Sequence, residues 1–246
     1  MALGEPTNDR VRWHDLECGG YAVDLPLWRD LAAAADGPLL DVGAGTGRTS
    51  LDLARRGVEV TALDAEESLL AELGRRARAE RLTVSTLLAD ARELAVGTRF
   101  AAIIVPMQTI QLLGGPEGRR RFLTRVRTHL RPRGLFAAAL ADALEGYDPA
   151  VSEPPLPDMA EYDGTVYSSR PVAVLPVAAG MMIARVREIV SPTGERTVTE
   201  DRTLLDALTA ATLYAECAAV GLTAETERTV PATPEYVGSA VVVCRG

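Results

Sequence analysis

The chain contains no lysine: all 26 of its basic residues are arginine. Lysine codons are AT-rich, so this absence, beside abundant Ala, Gly, Pro and Val, points to a GC-rich coding sequence. It also excludes chemistry. Schiff-base catalysis through a lysine is ruled out, as is a phosphate loop built on a Walker lysine. Cysteine is nearly as scarce. Cys18, Cys217 and Cys244 are too few and too scattered for a disulfide framework or a zinc site, so no metal is expected. No apolar run approaches the roughly 20 residues that a membrane helix needs, and no basic stretch followed by an apolar segment opens the chain. The expectation is a cytoplasmic protein in a reducing compartment, without a membrane partner. Positive charge is in deficit too. A net charge of −8 argues against a partner held through its phosphate backbone, so nucleic acid is a disfavoured ligand.

What is present suits one sizeable core: 246 residues, 47% hydrophobic and 24% charged. The chain reads as a single domain, 1–246. Residues 1–36 form an N-terminal helical cover and 37–141 the core. Residues 142–205 read as a loop and small antiparallel insertion placed as a cap, and 206–246 as a closing helix and β hairpin. In the core, strands at Pro38–Val42, Val58–Leu63, Leu82–Leu88, Phe100–Val105 and Gly134–Leu140 alternate with helices. Those helices are Asp24–Ala35, Thr46–Arg56, Glu66–Glu80 and Glu117–Leu130. Apolar strands interleaved with helices predict a doubly wound α/β parallel sheet covered on both faces. Glu145–Gly164, with Pro149, Pro154, Pro155 and Pro157, reads as a long surface loop. Thr165–Leu175, Met181–Val190 and Arg196–Leu204 read as three antiparallel strands, before a helix at Thr209–Val220 and strands at Thr223–Thr229 and Tyr236–Cys244.

The chemistry concentrates at Asp41-Val42-Gly43-Ala44-Gly45-Thr46-Gly47. A helix that starts just after a strand presents unpaired backbone N–H groups and a positive dipole end, and glycines let a ligand come close. A dinucleotide fingerprint needs a third small residue where this chain has Arg48. Asp41 would also meet a pyrophosphate with negative charge. A cofactor with a cationic amino-acid end suits the turn better. Asp64 closes the second strand about 20 residues beyond Gly43, where a carboxylate can accept from ribose hydroxyls. Its other reading is a cap for the following helix. Asp90, after the third strand, can accept from an adenine amino group while the Ala91 N–H donates to the ring. Three acids at three successive strand ends converge on the crevice where open α/β sheets bind ligands.

Leu39–Gly47, Val60-Thr61-Ala62-Leu63-Asp64, Leu88-Ala89-Asp90-Ala91 and His129-Leu130-Arg131-Pro132-Arg133-Gly134 together resemble the class I S-adenosylmethionine-dependent methyltransferase family. The resemblance spans about residues 20 to 141 and departs at Arg133, where the family commonly has a Pro-Gly-Gly turn. It implies a Rossmann-like seven-stranded sheet whose last strand is antiparallel, and S-adenosylmethionine as cofactor with S-adenosylhomocysteine as product. It further implies that Asp41 and the backbone of Gly43, Ala44, Gly45, Thr46 and Gly47 hold the methionine end. Asp64 and Ala65 would hold the ribose, Asp90 and Ala91 the adenine, with Leu69 against its face. Val105, Pro106 and Met107 would present a carbonyl to the ammonium, while Gln108 and Gln111 face the site. Tyr21 stands where relatives place a tyrosine near the cofactor.

Methyl transfer is an in-line displacement at an activated carbon, driven mainly by proximity, so no catalytic residue need be conspicuous. A general base is required only if the acceptor must first lose a proton. His14 and Tyr21 are the candidates for substrate or base roles; His129 reads as a helix C-terminal cap. The arginines 119, 120, 121, 125, 127, 131 and 133 read as a solvated helix face, with an anionic partner as the sharper alternative. The leading reading is methyl transfer to a small-molecule O, N or C acceptor, with monomer and homodimer both open. The alternative is a cofactor-binding protein of the same fold without methyl transfer, cyclase-like or regulatory. A nicotinamide oxidoreductase is opposed by Arg48 and Asp41, and an RNA methyltransferase by the charge.

Overall fold

Apolar strands and amphipathic helices alternate from residue 25 to 140 of the computed structural model, which describes residues 7–141, 156–233 and 236–246. In chain order the first elements are α1 (Thr7–His14), a single π-helical turn (Asp15–Gly19), α2 (Leu25–Ala35), β1 (Leu39–Val42), α3 (Arg48–Ala54), β2 (Val60–Asp64), α4 (Glu67–Ala79) and β3 (Val84–Leu88). There follow β4 (Phe100–Val105), α5 (Gly115–His129), β5 (Leu130–Leu140), β6 (Asp158–Tyr162), β7 (Thr165–Val177), β8 (Gly180–Val190), β9 (Arg196–Asp206), α6 (Ala210–Ala219), β10 (Thr223–Ala224), β11 (Arg228–Val230) and β12 (Ser239–Arg245). Short 3₁₀ turns at Ala91–Glu93 and Thr109–Leu112 follow β3 and β4.

The described chain divides into two compact units: 7–20 with 156–207, and 21–141 with 208–233 and 236–246. The larger unit is built on one sheet of order β10-β12-β5-β4-β1-β2-β3. β1 to β5 pair in parallel, and β12 runs antiparallel between β5 and β10. This is the doubly wound, Rossmann-like architecture that the alternation predicts, with its last strand antiparallel. The sixth strand differs in detail. Polar residues around Glu225 and Glu227 interrupt it, leaving β10 and β11 as two short pieces, both on β12.

Burial explains the centre. All six residues of β4, Phe-Ala-Ala-Ile-Ile-Val, are buried, as a strand covered on both faces must be. α4 buries Leu70, Leu73 and Ala77, a helical spacing that lays one stripe on the sheet. α5 buries Phe122, Leu123 and Val126 in the same way, and the Phe122 and Phe136 rings meet edge to face at 6.2 Å. Arg119 departs from the solvated face expected of its neighbours. It is buried and holds Glu216 of α6 through two hydrogen bonds of 2.8 Å. His129 is also engaged: Nδ1 lies 2.8 Å from the Arg125 carbonyl, and Nε2 accepts the Val96 N–H at 3.2 Å.

The smaller unit is an antiparallel sheet of order β6-β7-β8-β9 with α1 against it. β6 lies inside the stretch 145–164 expected as loop, so that expectation is corrected for its described part; residues 142–155 lie outside the described residues. The prolines hid a strand whose partner, β7, supplies the pairing. α1 is a helix that no apolar periodicity in the sequence marks. The π-helical turn after it has a polar anchor: Glu17 accepts from Ser169 Oγ at 2.7 Å and from Arg187 at 2.8 and 2.9 Å. Trp13 is buried edge-on to Tyr167, 5.1 Å between centroids.

Candidate functional site

The carboxyl ends of β1, β2, β3 and β4 lie side by side because the strands are parallel and in register, Asp41 opposite Ala62 and Ile104, Asp64 opposite Leu88. The turn after β1 takes its shape from glycine. Gly43, Gly45 and Gly47 have φ of 72°, 55° and 97°, a region costly for any side chain. A Cβ on Gly43 would sit 2.5 Å from Thr109 Cγ2, so the turns after β1 and β4 touch through the missing side chain. A Cβ on Gly47 would sit 2.7 Å from Leu73 Cγ.

Four backbone N–H groups of this turn are already engaged. Gly43 and Ala44 donate to the Leu63 carbonyl at 2.8 and 3.0 Å, and Gly47 donates to Ala44 at 3.0 Å. Gly45 donates to Asp64 Oδ2 at 2.8 Å. Asp64 Oδ1 accepts from the Glu66 N–H at 2.9 Å, so the carboxylate braces both the turn and the start of α4. A carboxylate offers about four lone-pair sites, so acceptor capacity remains.

Asp41 is the exceptional group. Its side chain is fully buried; Oδ2 accepts from Ser50 Oγ at 2.6 Å, and Oδ1 has no partner. Burial pushes its carboxyl up to about 6, against the pull of Ser50 and the Arg48 charge. Among the described residues one other buried side-chain atom lacks a partner, Ser68 Oγ in the first turn of α4. Two orphaned oxygens, on β1 and on the helix after Asp64, are what a polar, cationic-ended cofactor would satisfy. The donor set fits a ligand with an ammonium and hydroxyls. Neither Ser50, Ser68 nor Thr109 carried a signal in the sequence; each is a common residue with no special spacing.

Other expected residues are placed as follows. Asp90 is at the end of β3, where it caps the Ala91–Glu93 turn by accepting from the Arg92 N–H at 2.8 Å. The Arg92 guanidinium binds the same carboxylate at 2.6 Å and holds it below the usual carboxylate range. Ala91 is buried, Leu69 half-buried and Ala65 exposed. Val105 and Pro106 are buried at the end of β4, and Met107 follows in a left-handed conformation, φ 56°, a strain that clusters at functional sites. Gln108 is half-buried, and its carbonyl accepts the Gln111 N–H. Gln111, expected to face the site, has its side-chain amide engaged with the backbone. It is buried, accepting from the Ala141 N–H at 2.9 Å and donating to the Ala141 carbonyl at 3.3 Å. Tyr21 is buried edge-on to Tyr236 at 4.9 Å, and burial followed by the Asp24 charge pushes its hydroxyl up. His14 ends α1 in the smaller unit.

Known proteins share features of this sequence and fold. Residues 39–134 match the family model described as a methyltransferase domain. A protein of Geobacillus sp. (strain WCH70), assigned to methyltransferases by name only, is 29% identical over 98 residues, 40% of each chain. The chain therefore spans well under half the length of that curated relative. Two solved structures are similar along the whole chain. The amino pentose methyltransferase CalS10 of Micromonospora echinaspora, with S-adenosylmethionine bound, gives a TM-score of 0.73 at 19% identity, covering 100% of this chain and 99% of its own. The sugar N-methyltransferase KedS8 of Streptoalloteichus sp. ATCC 53650 gives 0.73 at 20% identity, covering 100% and 95%. At such identities the likeness establishes the fold.

Proposed function

We propose that this chain, whose residues 39–134 match a methyltransferase-domain family model, is a class I S-adenosylmethionine-dependent enzyme that transfers a methyl group from that cofactor to a small-molecule acceptor. The observation that carries the reading is Asp41 Oδ1, a buried carboxylate oxygen without a partner beside the glycine turn. An α-ammonium supplies both the hydrogen bond and the charge that this oxygen lacks. Asp64 accepts from the ribose with its remaining lone pairs, and Ser68 adds a hydroxyl beside it. The adenine is held between Leu69 and the Asp90–Ala91 segment, with the Asp90 carboxylate shared with Arg92. Val105, Pro106 and Met107 close the site from β4.

When bound, S-adenosylmethionine supplies a methyl group on a sulfonium sulfur. The chain's contribution is placement: rigid strand ends fix the cofactor so that the acceptor nucleophile meets that carbon in line. An acceptor amine that arrives unprotonated needs no protein base. Structural neighbours that act on an amino pentose and on a sugar nitrogen make amino sugars the first acceptor class to test. Acceptor selection is assigned to the inserted segment after β5, on chain order alone, since it follows a strand's carboxyl end.

Isothermal titration tests the reading. S-adenosylhomocysteine is expected to bind the wild-type chain, and Asp64→Ala is expected to weaken it at least 100-fold while the chain stays folded, on the order of the loss of a bidentate charged contact. Wild-type protein that binds neither S-adenosylmethionine nor S-adenosylhomocysteine sinks it.

A further inference from the structure

Arg48 first mattered as the residue that breaks the dinucleotide spacing; the structure gives it work of its own. It opens α3 immediately after Gly47, and Gly47, as the cap, has no side chain to fix the first turn of that helix. The guanidinium turns away from α3. Its Nη1 and Nη2 donate to Asp24 Oδ1 and Oδ2 at 2.5 and 2.9 Å, and Nη1 also donates to the Tyr21 carbonyl at 2.9 Å. Its carbon stands 5.2 Å from the Tyr21 ring centroid, within cation–π range. Asp24 is further held by the Trp28 indole N–H at 2.7 Å. The side chains of Arg48 and Asp24 are 10% and 2% exposed.

A dry ion pair of this kind is a poor source of net stability, since desolvation offsets most of the attraction; what it fixes is geometry. Here the geometry is that of the glycine turn. One guanidinium joins the junction of turn and α3 to the chain segment 21–28 and to the face of Tyr21. Lysine could supply the charge but neither the two-pronged contact nor the stacking. The same positive charge lies near Asp41, opposing the effect of burial on it, while Asp24 and Asp64 act in the other direction.

We infer that Arg48 is a positioning residue for cofactor binding: acting through Asp24 and Tyr21, it holds the glycine turn in the shape that the cofactor's amino-acid end requires. The inference rests on the function proposed above. Its test compares wild type, Arg48→Gln, Arg48→Lys, Asp24→Asn and the double variant Arg48→Gln/Asp24→Asn. S-adenosylhomocysteine affinity is read by titration, and the buried Trp28 reports on the clamp by its fluorescence. Each single loss is expected to weaken binding 10- to 100-fold and to shift the indole emission, with Arg48→Lys intermediate. The double variant is expected to bind no worse than the weaker single one, because the two side chains act as a unit. The double variant buries no unpaired charge, so it stays folded even where a single one does not. Wild-type affinity in the folded double variant overturns the inference. A wild type that binds no S-adenosylhomocysteine overturns the functional reading itself, and the positioning role with it.

Discussion

The two units of this chain are built on different principles. All three hydrophobic clusters of the described residues lie in the larger unit, where strands of Leu, Ile, Val and Ala are buried on both faces. The smaller unit has little of this. β8 is half-buried along nearly its whole length, and β9 is mostly exposed. What ties α1 and the π-helical turn after it to their sheet is a charged network: Glu17 of the turn with Arg187 and Ser169, Arg185 at 3.4 Å, and Tyr167 between Asp9 and Arg12 of α1. Buried charge is compensated in the smaller unit. In the larger one the notable carboxylate, Asp41, is left half-satisfied. The larger unit pairs its other buried charges as well, Arg48 with Asp24 and Arg119 with Glu216, so the unpartnered Asp41 Oδ1 on β1 stands apart from them.

The contrast predicts unequal sensitivity. Phe136→Ala removes a fully buried ring from the larger core and is expected to cost about 3–5 kcal/mol, read by chemical denaturation. A loss under about 1 kcal/mol would show that the two units do not differ in this way. Asp41→Asn is expected to act in the opposite sense on stability and function. Because burial raises this acid from 3.8 to about 6, its favourable neutral form is present below pH 3.8 and lost as pH rises through 6. Without cofactor the Asn variant should therefore be more stable than the parent at pH 7.5, by roughly 2 kcal/mol. It should also bind S-adenosylmethionine at least tenfold more weakly. Equal or lower stability at pH 7.5 would mean that Asp41 is compensated after all.

Glu17 supplies the smaller effect, with the reverse pH sign. Burial alone would raise its carboxyl, but the hydrogen bonds from Arg187 and Ser169 hold it below 4.5. Its stabilisation is present above pH 4.5 and lost as pH falls through the lowered value. Glu17→Gln is expected to cost about 1–3 kcal/mol locally, seen as faster hydrogen exchange in α1 while the core strands keep their protection. Acidification of the wild type should open α1 in the same way. Uniform loss of protection across both units would contradict it.

Much of the fold was legible because its signals are local. β4 has the bounds its apolar run predicts, and β1, β2 and β3 begin one or two residues late. Asp41, Gly43 to Gly47, Asp64 and Asp90 could be placed at strand ends for the same reason. α1 and β6 escaped notice because neither is apolar enough to pattern; β6 is held by its hairpin with the adjacent β7, and α1 by a contact from Asp9 to Tyr167, 158 residues away. The burial of Gln111 and its pairing with Ala141 were not legible, because an exposed and a buried glutamine look alike in sequence.

By itself, then, the sequence determined the order of elements, the positive-φ turn that only glycine makes cheaply, and the acids at successive strand ends. Periodicity and backbone sterics act over a few residues and can be read directly. Tertiary structure decided how each polar group is spent. Gly45 gives its N–H to Asp64 nineteen residues away, Gln111 its amide to Ala141 thirty away, and Arg119 its fork to Glu216 ninety-seven away. Arg48 closes on Asp24 by the same kind of contact. Such pairings depend on which distant groups share a desolvated space, and only packing creates that space.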